Sequence, residues 1–139
     1  KALNNFSMLF LSINGYTVSK DSLSMACNLN DILNEKVKKL LCEEVNEKSI
    51  SDLVDYMQNY LEYNIEKASK DLIDFIKSQK TSLSAHDIKV NPYFKNFKVK
   101  IEDILKVLYK NNIVTREVRE LKDSKDNFIA MENVYKYKI

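Results

Sequence analysis

The chain has 139 residues, 45% of them hydrophobic and 30% charged, which is ordinary for a folded protein and too apolar for a disordered one. A single glycine and a single proline exclude the many tight turns of an all-β fold and point to long helices with few connections. The net charge of +2 excludes a strongly acidic or basic protein, although residues 1–60 hold six lysines against eight acids and residues 61–139 hold sixteen Lys or Arg against twelve.

Leu3, Phe6, Phe10 and Ile13 recur at helical spacing, and Gly15 is the expected stop. A short helix is predicted over Lys20–Asn28 with Ser19 as its cap. A third, capped by Asp31, is predicted to about Lys48 with Leu33, Val37, Leu40, Leu41 and Val45 as its stripe. Ser49 to Asp52 reads as a capping box. Beyond it Leu53/Val54, Met57, Leu61, Ile65, Ala68, Leu72 and Phe75/Ile76 step by threes and fours, predicting a helix over Asp52–Ser78, roughly 40 Å long. The alternative is a break near Tyr63–Asn64. Tyr56, Tyr60 and Tyr63 lie off that stripe and form a second face, a candidate surface for a protein partner or a second copy. Asn91-Pro92 is the strongest breaker. Ile101, Ile104, Leu105 and Leu108 then form a helix stopped by Asn111-Asn112, because Asn tolerates the left-handed conformation. Ile113–Leu121 and Phe128–Ile139, about the polar turn Lys122–Asn127, read as a β-hairpin. The expected fold is mainly α with a C-terminal β-hairpin: a helical unit over 1–50, a linking helix over 51–79, and the remainder, 80–139, in a second unit.

Two lines carry a family resemblance. "KASKDLIDFIKSQKTSLSA" is like a first helix followed by a short strand, and "VKIEDILKVLYKNNIVTREVREL" is like a recognition helix running into a wing. Over about residues 66–139 the chain therefore resembles the winged-helix variant of the helix-turn-helix, with its first helix at about 66–79 and Asn111-Asn112 where Gly is usual. "HDIKVNPYFKN", with Pro92, stands where the second helix is expected and lacks a clean stripe. Residues 6–41 are similar in helix order and apolar spacing to the N-terminal dimerisation domain of acidic ribosomal stalk proteins, whose function is not carried over.

Catalytic, cofactor and metal signatures are not expected. The one histidine, His86, has no Cys or His at ligand spacing, and phosphate-cradling loops need more glycines than Gly15. Cys27 and Cys42 sit in apolar patterns and read as buried thiols of a reducing compartment, cytoplasmic or nuclear. The acid pairs Glu43-Glu44 and Glu102-Asp103 read as solvated helix faces. The longest apolar run, Phe6–Ile13, is too short to span a bilayer. Residues 89–110 hold six lysines against Glu102 and Asp103. The resemblance thus implies a non-enzymatic protein binding double-stranded DNA, a transcription or replication regulator. Lys95, Asn96 and Lys98 would stand at the helix entry, Lys100, Lys106 and Lys110 on its outward or lateral face, and Lys122 and Lys125 at the wing tip. Asp103 opposes this, since it repels phosphate. Tyr93, Phe94 and Phe97 are expected to plug the gap before the helix. The alternative is a winged-helix protein-interaction module cut from a larger assembly subunit, which a start at Lys1 fits.

Overall fold

The first helix, α1 (Ala2–Ile13), buries Phe6, Ser7, Phe10 and Leu11 on one face. It ends where Gly15 adopts φ 79°, with the Tyr16 N–H bonding Leu11 C=O at 2.9 Å and the Gly15 N–H bonding Ser12 C=O at 3.1 Å. This double closure uses the carbonyls that a helix end leaves without partners. The computed structural model describes residues 1–42 and 45–139, so the expectation for Glu43-Glu44 lies outside the described residues. The chain divides into two compact units, Lys1–Ala68 and Ser69–Ile139, each taken by itself below.

In the first unit α1 is followed by α2 (Ser22–Leu29), α3 (Asp31–Cys42), α4 (Glu47–Tyr63) and the single turn α5 (Ile65–Ala68). Asn30 rather than Asp31 caps α3, its side-chain oxygen accepting from the Leu33 N–H at 2.9 Å. The described helix ends at Cys42 and not near Lys48. Leu41 and Val45, expected on its inner stripe, are 77% and 61% exposed. Cys42 is exposed as well, contrary to the expected buried thiol, whereas Cys27 is buried. Burial pushes the Cys27 thiol above its ordinary value, with Lys38 pulling partly against it, so it packs as a small apolar group. The cap of α4 also lies earlier than expected: Asn46 accepts from the Ser49 N–H at 2.9 Å while Ser49 Oγ accepts from the Asn46 N–H at 3.2 Å.

The core of this unit joins Phe6, Phe10, Leu11, Ala26, Cys27, Leu33, Val37 and Leu53, with Tyr56, Met57, Tyr60 and Leu61 packed against it. The tyrosines expected on an outward second face are thereby corrected. The Tyr60 ring stands 5.5 Å from Phe6 and 5.3 Å from Phe10. Asn14 Nδ2 donates to the Tyr60 hydroxyl at 2.9 Å, and Asn30 Nδ2 donates to the Tyr56 hydroxyl at 2.7 Å. Each ring packs on the core while its hydroxyl takes a donor at a helix end, so both tyrosines are half-buried with their polar tips satisfied. Only Tyr63 is fully outside, at 90% exposure.

The linking helix expected over Asp52–Ser78 is interrupted. α4 stops at Asn64, whose side chain and backbone N–H both take the Tyr60 carbonyl, at 3.0 and 3.1 Å. An Asn side chain that competes for the backbone in this way ends a helix despite a continuous apolar stripe. The stripe serves two cores: Leu53, Met57 and Leu61 in the first unit, Leu72, Ile73 and Ile76 in the second.

The second unit runs α6 (Lys70–Ser78), β1 (Leu83–Ser84), α7 (Ala85–Val90), α8 (Ile101–Lys110), β2 (Val114–Lys122) and β3 (Phe128–Tyr137). The three strands form an antiparallel sheet in the order β1-β3-β2. Ser84 and Asp87 cap α7 reciprocally, at 3.1 and 2.9 Å, which stabilises a six-residue helix that has no stripe of its own. Ile101, Leu105 and Leu108 of α8 are buried, as are Phe94, Ile113, Val114, Val134 and Tyr135. Asn112 takes φ 59°, the left-handed stop expected in the absence of Gly. Of the expected aromatic plug only Phe94 is buried, while Tyr93 and Phe97 are 57% and 43% exposed and ring it at 4.9 and 5.5 Å. The protein is thus mainly helical with a small C-terminal sheet. Among the described residues no helix is long and apolar enough to cross a membrane.

Candidate functional site

The side chains expected to read DNA are exposed on three segments of the second unit. Lys95 and Asn96 lie in the turn after α7, Lys98 in the irregular stretch beyond it, and Lys100 caps α8 without a side-chain bond. Lys106 sits within α8 and Lys110 at its end. Lys122 closes β2 and Lys125 lies in the hairpin turn, where its N–H donates to Asp123 Oδ1 at 2.8 Å. Two of these cations are matched by acids on their own segments. Lys106 Nζ stands 3.1 Å from Glu102 and 3.8 Å from Asp103, and Lys122 Nζ 3.0 Å from Asp126. Their charge is largely returned to the local surface.

A different group of residues forms a concavity. A half-open cleft of about 280 Å³ is lined by Ser84, Ala85 and His86 at the start of α7, Glu102 on α8, and Met131, Glu132, Asn133 and Tyr135 on β3. Tyr135 is 1% exposed, and its hydroxyl is the one buried side-chain polar atom without a partner among the described residues. Beside the cleft Arg119 joins two strands and a helix: its guanidinium donates to Glu132 at 2.7 Å and to Asp87 at 2.8 Å. The Glu102 and Glu132 carboxylates are tied to Lys106 and Arg119, which leaves the cleft polar with its two acids paired. Among the described residues no three His, Cys, Asp or Glu side chains are grouped to hold a metal ion.

Partial burial alone raises the Asp87 carboxyl, but the Ser84 N–H and hydroxyl and the Arg119 guanidinium outweigh it and hold the group below its ordinary value. A carboxyl depressed in the folded state contributes stability above its unfolded value of about 3.9, and that stability is lost as pH falls through the folded value. The expected outcome is a fall in the urea midpoint below about pH 4 that is shallower in Asp87→Asn. Equal acid slopes in the two proteins would refute the assignment.

Of the cleft residues, Glu102 is the one the sequence places on a solvated face. The available signal was chemical: a tyrosine on the inward parity of a central strand needs a hydroxyl partner, and no residue near it in sequence offers one.

No protein-family model matches the chain, and no curated protein matches it. One solved structure is similar. It is the nucleotidyltransferase-like protein from Exiguobacterium sibiricum, with a TM-score of 0.77 at 13% identity over 99% of this chain and 47% of that one. The chain therefore spans about half the length of that protein. The likeness runs through both units, and it overturns the expected function of a DNA-binding transcription or replication regulator. Helix, helix and hairpin in that order are an arrangement of the chain, and an arrangement does not fix an activity. The lysines that encouraged the DNA reading are in part consumed by Glu102, Asp103 and Asp126.

Proposed function

We propose that the chain serves a nucleotidyltransferase-like protein as its non-metal-binding portion, a helical unit followed by a winged-helix-like unit that receives the acceptor of the transferred nucleotide. The observation that carries this reading is the fold likeness that takes in 99% of this chain and only 47% of its neighbour. Nucleotidyl transfer displaces pyrophosphate in line, and such displacements draw on metal ions held by grouped carboxylates. The described residues offer a polar cleft in place of such a group. Tyr135 lines the cleft and its buried hydroxyl lacks a partner, a state that is destabilising by roughly 1–3 kcal/mol. A neutral, hydrogen-bonding acceptor suits a polar lining whose two carboxylates are already paired. The order α6-β1-α7-α8-β2-β3 and the sheet order β1-β3-β2 support the winged-helix-like description of the second unit.

The test compares two preparations supplied with Mg2+, labelled ribonucleoside triphosphates and an extract of small molecules. Protein purified under native conditions from the cells that make it is expected to incorporate label, and the 139-residue chain alone is not. Incorporation by the chain alone, or none by the native protein with any of the four triphosphates, would overturn the reading.

A further inference from the structure

The order β1-β3-β2 leaves β2 at the edge of the sheet. Every residue from Thr115 to Lys122 is exposed, Val118 at 61%. The Lys138 N–H bonds the Ile113 C=O at 3.1 Å, in the same register that pairs Val114 with Tyr137. Successive residues of a strand direct their backbone groups to opposite sides, so odd-numbered positions of β2 bond β3, and Arg116, Val118 and Glu120 turn theirs to the open edge. A strand presenting a row of backbone donors and acceptors is a template for another strand.

Its side chains specify which strand. Thr115-Arg-Glu-Val-Arg-Glu-Leu121 is complementary in charge to itself when reversed about Val118. In an antiparallel pair of two β2 strands Val118 faces its own copy, Arg116 faces Glu120, and Glu117 faces Arg119. Directly opposed residues share a sheet face, so each pair brings opposite charges together. Within one chain Glu117 and Glu120 stand opposite Val134 and Met131 and have no ion-pair partner among the described residues. Arg116, an exposed residue, lies over the Tyr109 ring at 4.6 Å. A charged edge normally repels other strands, but this one repels foreign strands while matching its own.

We infer that two copies of the chain associate through β2, joining their three-stranded sheets into one continuous six-stranded sheet. The proposal stands independently of the functional reading above. A single edge-strand contact lies at the small end of protein interfaces, so the dimer is a weak one whose formation follows protein concentration.

Sedimentation equilibrium of the full chain at low salt, from about 10 µM to about 1 mM, is expected to show a monomer–dimer equilibrium that weakens with added salt. Arg116→Glu and Glu120→Arg each oppose like charges twice per dimer and are expected to weaken association about tenfold or more. An equimolar mixture of the two variants restores the opposite-charge pairs and is expected to associate better than either variant alone. Val118→Pro removes an N–H that faces the open edge and spares the bonds to β3; it is expected to be monomeric with an unchanged circular dichroism spectrum. Should that variant misfold, Val118→Lys places two ammonium groups face to face and gives the same readout. A monomer at every concentration, a dimer indifferent to these substitutions, or a mixture no stronger than its components would each overturn the proposal.

Discussion

Replacing Phe6 by alanine is expected to destabilise the first unit by about 3–5 kcal/mol. The side chain is 4% exposed, and its ring is within 6.4 Å of Phe10, 6.3 Å of Tyr56 and 5.5 Å of Tyr60. Truncation removes the transfer energy of a whole ring and three aromatic contacts, each worth about 0.5–1.5 kcal/mol beyond its area. The neighbours cannot collapse into the space, because Tyr56 and Tyr60 are tethered at their hydroxyls by Asn30 and Asn14. Urea unfolding followed by tyrosine fluorescence, which eight tyrosines and no tryptophan make convenient, measures the loss. A change below about 1 kcal/mol would contradict the packing described. Met8, on the same helix but 39% exposed, serves as the control: its replacement by alanine is expected to stay within about 0.5 kcal/mol.

Leu105→Ala is expected to cost the second unit about 2–5 kcal/mol. Leu105 is wholly buried at the centre of α8, between Ile101 and Leu108 on the same face. Val114 on β2 and Val134 and Tyr135 on β3 are buried as well. Such a loss is a large share of the roughly 5–15 kcal/mol that holds a typical domain together. The expected sign is earlier urea unfolding and faster amide exchange at Val134 and Tyr135. Unchanged protection at those two positions would show that α8 does not brace the central strand.

Much of this architecture is local, and local physics is legible in a sequence. The stop at Asn111-Asn112 needed only a residue able to take positive φ, and Asn112 takes φ 59°. The closure after Gly15 is of the same kind. The hairpin followed from alternation and a polar turn, and Asp123 organises that turn by accepting from the Lys125 and Asn127 N–H groups. Other features were illegible because a competing partner lies far off in sequence. Tyr56 and Tyr60 look like an outward face when their helix is drawn alone. They turn inward because Asn30 and Asn14, 26 and 46 residues away, supply hydrogen-bond donors. The cleft draws on residues from α7, α8 and β3, and no single stretch contains enough of it to be noticed.

What the sequence determined by itself was the C-terminal hairpin, the inward stripe of α8 and the charges of β2, all set by neighbours within a turn or two of the chain. Only the tertiary structure decided that one continuous apolar stripe is divided at Asn64 between two cores, that Leu41 and Cys42 face water, and that the Tyr135 hydroxyl is buried without a partner. The physical reason is common to these cases. Periodicity records which positions are apolar, whereas burial depends on which distant residues arrive to cover them. Function was a further step removed: a run of lysines carries no label for its partner, and the DNA reading it prompted is overturned by a fold likeness that no single stretch of the sequence announces.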